Sequence, residues 1–260
     1  MTEPPSLAKE AARLLRQRAE IGGEDLFLGR LTRAQVLELA RDAKSREGSM
    51  PPTVASASDA AVAQPTQPAT APTLLPTSYT ELRADALSCT RCRLCEGRTN
   101  VVFSDGVEGA RLMVVGEAPG ANEDKTGLPF VGAAGKYLDL LLATVGLSRA
   151  ENVYICNVLK CRPPGNRDPM PDEIQSCSPF LAKQIELIQP EALLAVGSFA
   201  ARLLTGQEKT ALGRIRGEVH SYQGVPLVVT YHPAALLRNP TWTRAFWDDL
   251  QLLRRVLDGT

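Results

Sequence analysis

The sequence lacks several things whose absence narrows its class. It carries no net charge, because 29 Lys plus Arg balance 29 Asp plus Glu over 260 residues. The balance holds in both parts, with nine basic and nine acidic groups in residues 1–77 and twenty of each in 78–260. A uniformly basic nucleic-acid binder is thereby excluded, and any nucleic acid must be gripped by a local patch. No apolar run reaches the ~20 residues that a bilayer span requires. The opening MTEPPSLAKE has no apolar stretch of signal-peptide type, so the expectation is a cytoplasmic protein in a reducing compartment, with no membrane association. Histidines number only two, and no internal repeat is present. What the chain does have is a 44% hydrophobic composition, ample for ordinary globular domains. It also has six cysteines, which in a reducing compartment read as metal ligands, buried thiols or catalysts rather than as disulfides.

The chain changes character twice. Residues 48–77 hold six prolines, one charged residue and no aromatic, too little apolar surface to offset the entropy of ordering, so a disordered linker is expected. Ahead of it, residues 1–47 read as an amino-terminal helical appendage. Leu7, Ala11, Leu14 and Leu15 share one face, and Thr32 with Gln35 forms a capping-box start before Val36, Leu37, Leu39 and Ala40. These helices are a candidate docking segment for a protein partner. From residue 78 onward, strands alternate with helices. Leu112–Val115, Val153–Leu159, Ala192–Val196 and Leu227–Tyr231 are strand-like, and Leu138, Leu141, Leu142 and Val145 keep helical spacing between the first two. Phe246, Leu250, Leu253 and Leu257 repeat that spacing near the end. Apolar strands separated by helices predict an α/β fold with a central, mainly parallel four-stranded sheet covered on both faces.

In such sheets, ligands bind outside the carboxyl ends of the strands. Three of the four strands run into unusual polar sequence there. The first meets Gly116-Glu117-Ala118-Pro119-Gly120 and then Asn122-Glu123-Asp124. The second carries Asn157 ahead of Lys160-Cys161-Arg162-Pro163-Pro164-Gly165-Asn166-Arg167, and the fourth ends in His232-Pro233. A glycine-rich turn, two carboxylates, a carboxamide and a histidine on one rim form an active-site pattern. Gly116 and Gly120 let the backbone approach a ligand and aim N–H groups at it. No Gly-Lys-Ser/Thr follows, so this is not a P-loop, and the glycine spacing does not match a dinucleotide fingerprint.

Cys89, Cys92 and Cys95 form C-x2-C-x2-C, Cys161 and Cys177 are fifteen residues apart, and Cys156 lies inside a strand. A C-x2-C hairpin plus a distant pair supplies four thiolates, enough for zinc or an iron–sulfur cluster, which spacing alone does not separate. Pro179 soon after Cys177 predicts a helix kink or restart. Basic residues gather near the rim: Lys160, Arg162 and Arg167; Arg214 and Arg216; Arg238 and Arg244. Phosphate contacts from these groups would position a nucleic-acid strand.

The runs GEAPG-ANED-KTGLPFVGAAGKYLDLLL, YICNVLKCRPPGNRDPMPDE and HPAALLRNP together resemble the family 4 uracil-DNA glycosylases, the iron–sulfur branch of the uracil-DNA glycosylase superfamily. The resemblance runs from about Tyr79 to the end, with the motifs in the family's order and spacing. It implies a three-layer α/β/α sandwich and a structural 4Fe-4S cluster held by Cys89, Cys92, Cys161 and Cys177, with Cys95 as an alternative ligand. It implies that Phe130 stacks on a flipped-out base and that Asn157 reads the uracil Watson–Crick edge. His232 would then hydrogen-bond uracil O2, Glu117 would lie by the base, and Glu123 would stabilise the sugar cation or hold the water. Gly116 and Ala118 belong to the same base-binding turn. The loop after Cys161 lacks the inserted basic, histidine-containing stretch of relatives that trap uracil DNA covalently, so turnover is expected.

The reading is a DNA-repair hydrolase, a monomer, that cleaves the N-glycosidic bond of deoxyuridine in single- or double-stranded DNA. The competing class is a non-catalytic iron–sulfur or zinc nucleic-acid-binding module associated with replication proteins. That module needs the basic patches and the cysteines but not the Glu117–Asn157–His232 trio.

Overall fold

The computed structural model describes residues 76–260. The helical readings within 1–47, and the linker reading apart from residues 76 and 77, lie outside the described residues. Ser78 accepts a hydrogen bond from Glu81 N (3.3 Å) as the cap of α1 (Tyr79–Leu87). The chain then makes α2 (Leu94–Gly97), β1 (Asp105–Gly106), β2 (Leu112–Gly116), α3 (Ala121–Thr126), α4 (Ala133–Ala143) and β3 (Val153–Asn157). A 3-10 turn (Pro164–Asn166) leads into α5 (Pro171–Ile188), β4 (Ala192–Val196), α6 (Ser198–Thr205), α7 (Leu212–Ile215), β5 (Val219–Tyr222) and β6 (Val225–Thr230). The chain closes with α8 (Pro233–Arg238), a second 3-10 turn (Pro240–Trp242) and α9 (Thr243–Asp258).

The sheet order is β1-β3-β2-β4-β6-β5. The four central strands are parallel and are the four expected ones; β1 and β5 add short antiparallel edges. Sequence pattern misses these edges for a physical reason. The first is two residues long, and the second, VHSY, alternates half-buried and exposed side chains with little apolar content. Edge strands kept short in this way offer little template for unwanted pairing.

Strand periodicity splits the core into two layers. Met113, Val115, Tyr154, Cys156, Leu193, Ala195, Leu227 and Val229 face one side, against Leu82, Phe180, Leu181 and Leu204 of α1, α5 and α6. Leu112, Val114, Val153, Ile155, Leu194, Val196 and Val228 face the other, against Leu138 and Leu142 of α4 and Phe246, Leu250 and Leu253 of α9. Each central strand is buried on both faces, which is why it reads as an unbroken apolar run. The result is the expected three-layer sandwich.

Helix α5 corrects one expectation: it passes through Pro179 as a single element. Pro179 and Gln175, the residue whose carbonyl the proline leaves without an N–H partner, are both on the exposed face of the helix. Among the described residues, no helix is long and apolar enough to cross a membrane.

Candidate active site

A cavity of about 750 Å³ opens at the carboxyl ends of the parallel strands. Its wall includes Glu117, Ala118, Glu123, Phe130, Asn157 and His232, residues separated by more than a hundred positions in sequence. Sheet register makes the convergence: Gly116 pairs with Asn157 across β2 and β3, and Val196 with Thr230 across β4 and β6.

Asn157 ends β3 and is 2% exposed. A Cβ on Gly116 would sit 2.3 Å from its Oδ1 and 2.6 Å from Phe130 Cζ, so only glycine leaves room for carboxamide and ring together. Phe130, 6% exposed, holds φ +54° and stacks on the His232 ring at 5.6 Å and 27°. A bulky residue in this left-handed region is strained and must be held from outside. The holder is Arg149, which donates to Pro129 O (3.1 Å) and Phe130 O (3.0 Å) while pairing with Asp105 (2.7 Å) and Asp139 (2.9 Å). Gly135 in α4 completes the support, since a Cβ there would lie 1.8 Å from Phe130 O.

His232 caps α8, its Nδ1 accepting from Ala234 N at 3.1 Å. An accepting Nδ1 fixes the neutral tautomer with the proton on Nε2. Burial, helped by the Arg238 charge, pushes the His232 pKa down to about 4, so the ring is an uncharged N–H donor at neutral pH. Glu117 is shifted the opposite way for a carboxylate, raised by burial and then by the negative charge of Asp168. Gly197, with φ +97°, lets β4 end hard against His232, where a Cβ would come within 3.1 Å of the His232 Cβ.

Glu123 lines the cavity and also has a structural part. Its Oε1 accepts from Val131 N and Gly132 N, both at 2.9 Å, and its Oε2 accepts from Gly120 N at 3.1 Å. Three backbone amides bind it as the clamp that closes the α3 start onto the Phe130 turn.

The expected basic patch also needs correction. Lys160 is 2% exposed and cannot meet a phosphate. Its ammonium donates to Asn157 O (2.6 Å) and Gln184 Oε1 (2.5 Å). Arg216 is largely buried, bound to Asp249 (2.8 Å) and Ala245 O, and is taken out of the patch by those bonds. Arg167 lines the cavity but pairs with buried Glu173 at 2.5 Å. Arg238 lines the cavity and is exposed, Arg162 bonds Asn166 (2.7 Å), and Arg214 is exposed on α7. Arg244 pairs with Asp248 at 3.0 Å on the exposed face of α9.

Sequence reasoning missed Arg202, Tyr231 and Trp242 in the cavity wall, and Arg149 behind it. The glycine ending the third apolar run, Gly197, was the available signal for the wall near Arg202.

On the other side of the β3 end, a small cleft is lined by Cys89, Cys92, Cys95, Cys161 and Cys177. Cys156 is wholly buried in β3 and stands apart from it. Arg98 donates to Cys161 Sγ, and Lys160 N donates to Cys177 Sγ, each at 3.3 Å. Burial pushes the Cys177 thiol up to about 12, opposed by the Lys160 charge. Cys161 and Cys92 are raised by the same cause. Among the described residues, no three His, Cys, Asp or Glu side chains are arranged around a single ion.

The model of the uracil DNA glycosylase superfamily matches residues 103–251. The type-4 uracil-DNA glycosylase of Sulfurisphaera tokodaii is 41% identical over 187 residues, covering 69% of this chain and 84% of that protein. The type-4 uracil-DNA glycosylase of Archaeoglobus fulgidus is 42% identical, covering 67% and 90%. That of Thermotoga maritima is 47% identical over 152 residues, covering 58% and 79%. The match takes in the strand ends, the Phe130 turn and the His232 cap, and the chain belongs to the uracil-DNA glycosylase superfamily.

Proposed function

We propose that this protein is a DNA-repair glycosylase of the type-4 kind, hydrolysing the C1′–N1 bond of deoxyuridine in DNA to release uracil and leave an abasic site. The observation that carries the reading is the convergence on one rim of a neutral histidine donor, a raised carboxylate and a buried carboxamide. Oppositely tuned groups of this sort divide the work on a bond that breaks into two charges.

A base must leave the stack to reach a cavity at the strand ends, at a cost of a few kcal/mol that is smallest for single strands and mispaired uracil. Phe130 packs the flipped base, and the Asn157 carboxamide accepts from uracil N3–H and donates to O4. As the bond breaks, its electron pair leaves with uracil, and negative charge at O2 meets the His232 Nε2–H and the backbone of the Gly116–Ala118 turn. A neutral donor suits this step because it is fixed before the charge develops. Ionised Glu117 faces the sugar cation; a water oxygen then bonds to C1′, one of its O–H bonds breaks, and the proton released to solvent balances the one that the uracil anion takes up. Arg162, Arg214 and Arg238 are the phosphate contacts that the corrected patch retains.

The cysteine cleft fits an iron–sulfur cluster. A buried ammonium normally has a negative partner. Lys160 bonds only neutral oxygens and lies beside Cys177, so anionic sulfurs in the cleft would complete its environment. N–H groups directed at Cys161 and Cys177 serve the same end. Five cysteines line the cleft, and the resemblance to the family 4 enzymes favours Cys89, Cys92, Cys161 and Cys177 as the ligands. A 4Fe-4S cluster bound there would cross-link segments that no regular element joins. A monomer in the cytoplasm is consistent with this reading. Residues 1–47 are proposed as a docking segment and 48–77 as its tether.

The test is uracil release from a uracil-containing oligonucleotide, run beside iron and sulfide quantitation on purified protein. Release together with about four irons per chain supports the reading. Binding to DNA without release would return it to the non-catalytic module.

A further inference from the structure

The cavity, about 750 Å³, is larger than a single base requires, and its wall holds a second group of residues unlike the first. Asn157, Phe130 and His232 make up the first group; Tyr231, Trp242, Arg202 and Arg238 make up the second. Tyr231 and Trp242 are stacked, with ring centroids 4.7 Å apart and planes at 17°. The Arg216 guanidinium lies over the Tyr231 ring at 4.9 Å and is itself bound by Asp249 and Ala245 O. Three flat groups therefore form a pile that is anchored at its base. The Tyr137 hydroxyl, 3.2 Å from Thr243 Oγ1, ties the start of α9, and with it the turn bearing Trp242, to α4. The top of the pile is open: Trp242 is 39% exposed and borders the cavity.

A large aromatic left bare on a prebuilt stack has hydrophobic surface to bury, and exposed guanidinium groups beside it restrict what can bury it. A flat aromatic ligand carrying negative charge meets both conditions, and a nucleotide is that ligand. Tyr231 directly precedes His232 and both line the cavity, so the stack stands next to the place proposed for the flipped base.

We infer that the Arg216–Tyr231–Trp242 stack is a second base site, which holds the nucleobase next to the flipped nucleotide while Arg238 takes a phosphate. The inference deepens the proposed glycosylase reading and rests on it for the identity of the strand. Stacking is tolerant of base identity, so the site contributes grip and register without a sequence preference. Each strand has two neighbours of the flipped nucleotide, and a single platform serves only one of them.

The experiment measures equilibrium affinity by fluorescence anisotropy, which needs no cleavage. The probes are single-stranded oligonucleotides with a tetrahydrofuran abasic site at the uridine position. One probe is otherwise complete, one also lacks the base on the 5′ side, and one lacks it on the 3′ side. Trp242→Ala should weaken binding of the complete probe about tenfold, the scale of one lost base–aromatic stack. Trp242→Phe should recover most of that loss. The penalty should vanish for one of the two doubly abasic probes and persist for the other. An equal penalty on all three probes, or none, would overturn the second site. Uracil release by the unaltered protein is run alongside. Absence of release with a neighbour-dependent penalty would sink the glycosylase reading and leave the stacking site standing.

Discussion

The rim cavity and the cysteine cleft lie either side of the same five residues, Asn157 to Cys161, yet they are held by different means. Glu117, Asn157 and His232 are carried on, or directly after, strand ends whose positions the parallel register dictates, and the Phe130 turn is fastened beside them by Arg149 and Glu123. The cysteines come from a loop after α1, the run after β3 and the middle of α5, tied by contacts such as Arg93–Asp172 (2.8 Å) and Lys160 N to Cys177 Sγ (3.3 Å) rather than by strand pairing. Regular backbone can hold a reading site without help. Irregular segments need a cross-link. Damage to the cleft should therefore appear as lost protein, and damage to the rim as lost rate.

The largest effect should come from the cleft. Cys89→Ser, Cys92→Ser, Cys161→Ser and Cys177→Ser should each lose brown colour and most soluble yield, read by absorbance and recovery after purification. A colourless but stable and active Cys177→Ser protein would break the contrast between the two regions.

Next is Asn157→Asp, which should fold normally and lose about a thousandfold in uracil release. Two mismatched polar groups at about 2 kcal/mol each amount to ~4 kcal/mol, and ~1.4 kcal/mol is tenfold. Weak cytosine release should appear, because the new acceptor suits N4–H2. Near-normal uracil release would show that the carboxamide does not read the base.

His232→Ala should slow release about a hundredfold, in the range for removal of one transition-state donor, with little change in base choice because O2 is common to uracil and cytosine. A variant that changes base preference instead would move His232 from the leaving group to the reading edge.

A smaller and graded effect concerns pH. Glu117 titrates above its ordinary 4.5, and its ionised form is the useful one. Release should therefore fall as pH drops through that raised value. The neutral state of His232, with its pKa near 4, is unchanged until lower pH. Glu117→Gln should be slower at neutral pH and lose the upper part of the acid limb. An identical acid limb in the variant would assign it to another group.

The smallest effect is the control. Cys95→Ser and Cys156→Ala should keep full iron content, which sharpens the ligand set to the four cysteines above.

Much of this was legible in the sequence because parallel strands buried on both faces announce themselves as apolar runs, and the strand-end rule turns those runs into a rim. Gly116, Asn157 and His232 could be placed on one edge for that reason. What stayed hidden depends on partners that are remote in sequence. Lys160 sits in a basic-looking run, and nothing local reveals that Gln184 of α5 receives its ammonium. Glu123 has the look of a catalytic carboxylate, but the amides that occupy it belong to a turn eight and nine residues on. Arg149 resembles any surface arginine until Phe130 is seen at positive φ. Trp242 stands two residues after a proline in a polar stretch, and only the fold brings it onto Tyr231 at the cavity wall.

The two glycines beneath the Phe130 ring set a direction for engineering. At Gly116 and Gly135 a single added carbon would collide with the carboxamide, the ring or the turn carbonyl, at 2.3, 2.6 and 1.8 Å respectively. Overpacking at such places commonly costs about 1–3 kcal/mol and displaces what it touches. A library that seeks a new base preference therefore has no freedom in the floor of the cavity. Its useful diversity lies in the side chains that overhang the opening, and a selected variant with either glycine replaced should carry a compensating change at Phe130.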